Sequence, residues 1–389
     1  MTPGGRLQAA IEVLDRVLRG GAAERELTAW ARGARYAGSK DRAAVRDHVF
    51  DALRRLRSAA WAGGCGDVPV AELDAGLVLA GLLRQQDLDP ATYFTGEGHA
   101  PAPIALTEAP RDAPAGVRLD VPDWMLPRFR AALGDRSDPV LDAMRERADI
   151  VLRANVARIT RDALIAGLRA EGRDARPHAL APDAVRLPPG TRGLKESALF
   201  RDGAFEFQDA GSQALIEALP AAEGPVLDLC AGGGGKALAL AAKGVRVDAH
   251  DIDPRRMRDL PERADRAGVR IARVDRPEDR APYAGVVVDA PCSGSGAWRR
   301  TPEAKWRLTP ARLDELTAMQ ADILDRALTL VRPGGWVAYM TCSMFGEENA
   351  GPVEAVLASR PEARIVRTWS CTPLDGTDGF GLHLLERAG

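Results

Sequence analysis

The sequence predicts an α/β fold built on a parallel sheet, with two further segments ahead of it. Three observations carry that expectation. From residue 225 onward, short β-branched runs alternate with helical stretches, the pattern of a parallel sheet covered by helices on both faces. The first run opens directly into a glycine loop, "LDLCAGGGGKAL" at 227–238. Ahead of the sheet, residues 5–60 repeat apolar residues at three- and four-residue steps, which is a helical period.

The elements follow in order. Leu7, Ile11, Leu14, Val17 and Leu18 lie on one helix face, and Val45, Val49, Leu53 and Leu56 on another, with Ser39 placed to cap the second helix. Leu73 to Leu83 suggests one more helix, so residues 1–95 read as a small all-helical domain. Residues 96–120, with "GEGHAPAP" and "RDAPAG", are rich in Pro, Gly and Ala and read as a linker. Residues 121–220 form an α+β segment. Within it "PDWMLPRFRAAL", "DPVLDAMRERA" and "TRDALIAGLRAEG" look helical, while "DIVLRANV", "DAVRLPPG" and "ALFRDGAFEFQDAG" read as strands and turns. Residues 221–389 place strands at "PVLDLC", "VRVDAHDID", "VRIARV", "AGVVVDAP", "GWVAYMTC", "ARIVRTW" and "GFGLHLLER", with helices between them. In such sheets ligands sit beyond the C-terminal strand ends.

Bulk properties narrow the function. The composition, 46% hydrophobic and 28% charged, suits a folded globular chain. No run of eighteen apolar residues predicts a membrane span, and the first twenty residues read as an amphipathic helix rather than a signal peptide. A cytoplasmic protein without a membrane partner is expected, and nothing demands more than a monomer. The five cysteines form no C-x-x-C pair, which speaks against zinc and for free thiols. No metal is expected. The net charge of −2 argues against a strongly basic nucleic-acid binder, but residues 1–60 hold twelve Arg/Lys against seven Asp/Glu.

Chemistry concentrates at the strand ends. Gly232 to Gly235 let backbone N–H groups approach a ligand closely. Asp251 lies about twenty residues on, where an acid accepts hydrogen bonds from the ribose hydroxyls of an adenosine cofactor; Asp253 is the alternative in "DIDP". Asp275 is read as ending the third strand, where an acid often reaches the adenine amino group in this fold class. Asp289-Ala-Pro-Cys292 forms a rigid turn at the end of the fourth strand, and Thr341-Cys342 ends the fifth. Two thiols and an acid at one crevice suit methyl transfer to carbon 5 of a pyrimidine. That carbon becomes nucleophilic only after a thiolate adds at carbon 6, an acid near N3 stabilises the charge, and a second group helps release. These residues alone leave open which cysteine attacks.

"LDLCAGGGGK", "VDAPCSGSGAWRRTPEAKW", "YMTCSMFGEEN" and "DGF" at 378–380 resemble the motifs of the RsmB/NOP2/Sun family, RNA 5-methylcytosine methyltransferases that use S-adenosylmethionine. "LRAN" at 152–155 and "GAFEFQDAGSQ" at 203–213 resemble its preceding segment. Residues 5–60 resemble the NusB-like RNA-binding domain of the bacterial RsmB branch. The resemblance implies a Rossmann-like class I methyltransferase domain. It makes Cys342 the nucleophile and Cys292 the residue that assists release, with Asp289 near N3 of the cytosine. Cys230, Ala231, Gly232, Gly233, Gly234, Gly235, Lys236, Asp251, Asp275 and Asp289 would hold S-adenosylmethionine. Arg299, Arg300, Lys305 and Trp306 would sit in a loop facing RNA, with Trp306 packing rather than stacking on a base. The target would be an unpaired or flipped-out cytosine of small-subunit rRNA, with tRNA second and a non-catalytic RNA-binding assembly factor as the rival of another class. The family usually reads Cys-Ala-Ala-Pro-Gly-Gly-Lys-Thr, whereas this chain has Gly232, Gly233 and Ala237, a loop expected to cost more entropy to order.

Overall fold

A computed structural model describes residues 1–107 and 112–389. Residues 108–111 of the expected linker lie outside the described residues. Two compact units form: residues 1–147 with 298–308, and residues 148–297 with 309–389.

The first unit is helical. α1 (Pro3–Leu18), α2 (Ala23–Gly33), α3 (Ser39–Arg54), α4 (Leu56–Ala62) and α5 (Ala75–Gln85) enclose a core that includes Leu7, Leu14, Val45, Val49, Leu53 and Leu79. Ser39 is the first residue of α3 and does not cap it. The cap position is Gly38, whose N–H donates to the Asp41 carboxylate at 3.0 Å, and that carboxylate also takes Arg6 at 2.8 Å. α6 (Ala115–Arg118), α7 (Leu126–Leu133) and α8 (Ser137–Ala143) belong to the same unit, which therefore runs on past the linker drawn at 96–120. The returning segment 298–308, with α14 (Glu303–Arg307), completes it: Trp298 is 1% exposed and meets Phe129 edge-on, centroids 6.1 Å apart.

The second unit holds two sheets. The smaller is antiparallel, in the order β2 (Arg176–Pro177), β3 (Ala184–Leu187), β1 (Ile150–Ala154), β4 (Phe205–Phe207). It shares a core with α9 (Arg161–Ala170) through Leu152, Leu164, Leu168, Val185 and Phe205. "ALFR", expected to be extended, is instead the short helix α10 (Ala198–Arg201), because Ser197 caps it by accepting from Leu199 N–H at 3.1 Å. α11 (Ala210–Glu217) leads to the larger sheet.

That sheet has seven strands: β5 (Val226–Asp228), β6 (Val247–Ala249), β7 (Ile271–Arg273), β8 (Tyr283–Asp289), β9 (Val331–Thr341), β10 (Ala363–Cys371) and β11 (Phe380–Arg387), in the order β10-β11-β9-β8-β5-β6-β7. β5 to β9 pair in parallel, as the alternation predicts. β11 runs antiparallel to both β9 and β10, so the sheet is mixed. Only residues 372–379 join β10 to β11, too few for the dozen or more that a parallel crossover needs. α12 (Gly235–Ala242), α13 (Leu260–Ala267), α15 (Pro310–Leu330) and α16 (Gly346–Leu357) cover the faces. β8 is buried along most of its length and delivers its last residue, Asp289, to the C-terminal edge. Among the described residues, no helix is long and apolar enough to cross a membrane.

Candidate active site

β8 and β9 lie side by side, with Asp289 opposite Met340, so their exits are neighbours. The loops that follow bring the two thiols together: Cys292 Sγ and Cys342 Sγ are 3.4 Å apart. The hydrogen bond to Cys342, and then burial, push the Cys292 thiol well above its ordinary value. Cys292 therefore keeps its proton in the resting site.

Beside the thiols stands a cluster of charge. Asp289 Oδ2 is 2.6 Å from Lys236 Nζ, and the Lys236 side chain is only 7% exposed. Burial opposes the lysine's charge, but Asp289 and then Asp228 outweigh it and hold the ammonium above its usual range. Asp228 ends β5 and is 1% exposed. Burial, and then the neighbouring charge of Asp289, push its carboxyl up to about 7, against the pull of Lys236 and of the Ala237 N–H. Neither Asp228 oxygen has a donor in good hydrogen-bonding geometry.

The glycine loop forms one wall. Gly232 (φ +50°) and Gly234 (φ +80°) take left-handed backbone, and a Cβ on Gly234 would lie 2.2 Å from Leu260 Cδ1. Ala231 N–H donates to His250 O at 2.9 Å, fixing the loop to the end of β6. Gly233 and Gly235 complete the turn into α12. Asp251 is buried and accepts the Gly232 N–H at 2.9 Å, with Arg256 3.0 Å from the same oxygen. Asp253 instead caps the turn after β6 by accepting from Arg255 N–H at 3.1 Å. Of the two acids in "DIDP", Asp251 is thus the one facing the loop. Cys230 is pushed up to about 12 by burial, then by Asp228, and stays a neutral thiol. Asp275 stands exposed two residues past β7.

The basic segment after Cys292 departs from its expected role. Within the helical unit Arg299 and Lys305 are buried rather than displayed. Lys305 donates to Arg54 O at 3.3 Å and Trp306 Nε1–H to Leu53 O at 2.8 Å. Both acceptors are carbonyls at the C-terminus of α3, which lack intrahelical partners and draw in donors. Burial lowers the Lys305 ammonium to about 8, with Asp120 opposing the shift. Arg300 remains exposed, and Trp306 packs, as expected.

Two groups escaped the sequence. Asp228 was readable as an acid ending an apolar strand, "VLDL". Glu348, in "GEEN", is completely buried and accepts the Ser293 N–H at 2.7 Å; only tertiary packing reveals it.

Comparison with known proteins follows this geometry. Residues 216–381 match the family model for 16S rRNA methyltransferase RsmB/F, and residues 121–191 match the ferredoxin-like domain of RsmF/B-like methyltransferases. The chain is 34% identical over 260 residues to ribosomal RNA small subunit methyltransferase B of Serratia proteamaculans, covering 64% of this chain and 60% of the relative. It is 33% identical over 269 residues to the same-named protein of Salmonella arizonae, covering 66% and 62%. The chain thus spans about 60% of the length of these curated relatives. Among solved structures, the crystal structure of PH0851 aligns over 100% of this chain and 99% of that one, at TM-score 0.77 and 22% identity. A methyltransferase homologue from Pyrococcus horikoshii aligns over 70% and 97%, at TM-score 0.62 and 22% identity. These likenesses show the fold, a Rossmann-like α/β fold.

Proposed function

We propose, from the match of residues 216–381 and 121–191 to the RsmB/F family models, that this chain methylates carbon 5 of a cytosine in small-subunit rRNA, using S-adenosylmethionine, in the cytoplasm. The observation that carries the proposal is the 3.4 Å meeting of Cys292 and Cys342 beside Asp289. A protein that only binds RNA has no use for that set.

The residues present suit S-adenosylmethionine. The buried Asp228 carboxylate lacks a well-aligned donor and fits an ammonium group. Asp251 fits the ribose hydroxyls, and the glycine loop admits close backbone approach. When bound, the cofactor supplies an electrophilic methyl group.

The chain's own groups do the rest. Cys342 adds its sulfur to ring carbon 6, and Asp289 contacts the ring near N3, where charge develops. Cys292 holds its proton while Cys342 is free, because the hydrogen bond to Cys342 is the largest cause of its raised value. Once Cys342 is bonded to carbon, that cause is gone. Cys292 then releases its own proton to solvent and, as the thiolate, takes the C5 proton; the C5–H electron pair re-forms the C5–C6 double bond and expels Cys342 as a thiolate.

The test is mass spectrometry of nucleosides from unmodified small-subunit rRNA incubated with the protein and S-adenosylmethionine. New 5-methylcytidine supports the reading. Its absence there, with a signal from total tRNA, would move the substrate; absence from both would overturn the activity.

A further inference from the structure

We infer that Glu348 is a positioning residue that holds the two cysteine loops in register, an inference that rests on the two-thiol reading above. Its carboxylate is completely buried at the start of α16 and touches neighbours of both cysteines. One oxygen accepts the Ser293 N–H at 2.7 Å and the Gln320 amide at 3.0 Å. The other accepts the Ser293 and Ser343 hydroxyls, each at 2.5 Å. Ser293 follows Cys292 and Ser343 follows Cys342, so one group ties down both loops. Gln320, itself fully buried on α15, also donates to the carbonyl of Pro291 at 2.8 Å, fixing the residue before Cys292. Tyr339, in the strand leading to Cys342, donates its hydroxyl to the main-chain carbonyl of Glu348 at 2.7 Å.

Four hydrogen bonds converge on a carboxylate shielded from water, where charge-assisted bonds are strongest and most directional. A core that needed only filling would place an apolar side chain here, because burying a carboxylate is costly without such partners. The arrangement sets the distance between two sulfurs that lie fifty positions apart in the chain. It acts through its neighbours and supplies no group to the substrate.

The test pairs steady-state kinetics with the alkylation rate of each cysteine by iodoacetamide, read by peptide mass spectrometry with Cys65 of the helical unit as internal reference. Glu348→Ala removes every acceptor. Glu348→Asp keeps the charge but is one methylene too short to span both loops. Both should lower kcat by about 10²-fold while leaving the KM for S-adenosylmethionine unchanged. Both should also raise alkylation of Cys292 and Cys342 roughly tenfold relative to Cys65, as the loops open. Glu348→Gln keeps the shape, and the serine hydroxyls can turn to meet its amide, so it should stay close to the wild type in both measurements. If Glu348→Ala fails to fold, Glu348→Asp decides. Wild-type alkylation rates in the substituted proteins would overturn the inference. A wild-type protein that forms no 5-methylcytidine would instead refute the proposed function, while the alkylation pattern still judges Glu348.

Discussion

Replacing Asp228 by Asn should stabilise the cofactor-free protein, and the gain should depend on pH. The wild-type carboxyl sits at about 7 in the folded protein against 3.8 ordinarily. That gap of roughly 3 units, at 1.36 kcal/mol each, amounts to on the order of 4 kcal/mol. The group is only 1% exposed, so solvent does little to screen it. Because the folded value is the higher one, the protonated carboxyl contributes stability that is complete below about pH 4. This contribution is lost as the pH rises to about 7. The amide of the Asp228→Asn variant titrates nowhere in this range. Chemical unfolding of the two proteins should therefore diverge between pH 4 and pH 8, the variant gaining up to about 4 kcal/mol at the alkaline end. The same variant should bind S-adenosylmethionine more weakly, a trade of stability against function. A stability difference that stays constant across that range would refute the assignment of the cost to the buried charge.

Cys342→Ala should abolish methylation yet leave S-adenosylmethionine binding unchanged by calorimetry; turnover near wild type would remove Cys342 as nucleophile. Cys292→Ala should accumulate a covalent RNA adduct, seen as a slow band on a denaturing gel, and the band should vanish in the Cys292→Ala/Cys342→Ala double variant. Trp306→Phe loses the bond to Leu53 O and should cost about 1 kcal/mol in unfolding free energy while leaving the KM for RNA unchanged; a large rise in that KM would return Trp306 to the RNA surface. Gly234→Ala meets both a left-handed backbone and Leu260, so it should destabilise by about 1–3 kcal/mol and lower cofactor affinity; an unchanged thermal midpoint would show that the loop relaxes.

What the sequence disclosed tracks how local the signal was. The parallel strands showed themselves through β-branched runs, and from adjacent strand ends it followed that Cys292 and Cys342 would share a crevice. Asp251 was singled out by its distance from the glycine loop, and in the fold its carboxylate accepts the Gly232 N–H. The reversed strand β11 was harder, since "GFGLHLLER" looks the same run in either direction and only the short connection from β10 forbids a crossover. Lys305 and Arg299 misled because a basic loop resembles an RNA surface; Lys305 instead donates to the Arg54 carbonyl at the end of α3, and the Arg299 carbonyl accepts from Arg54, some 250 positions away. Glu348 lies inside the motif "YMTCSMFGEEN", but nothing local separates it from Glu347 until four donors surround it.

The returning segment 298–308 has a consequence for how the protein is made. The helical unit is contiguous to Arg147, yet it is finished by Trp298, Lys305 and Trp306, which leave the ribosome last among its parts. Leu308 is added 161 residues after Arg147, roughly 8–30 s of synthesis at ordinary elongation rates. During that interval Phe129 lacks its aromatic partner and the end of α3 lacks its donors. The first unit to emerge is thus not the first to be completed. A chain cut after Arg147 would yield a helical fragment with an open core, and one begun at Ala148 would carry an unclaimed tryptophan pair in the loop after Cys292.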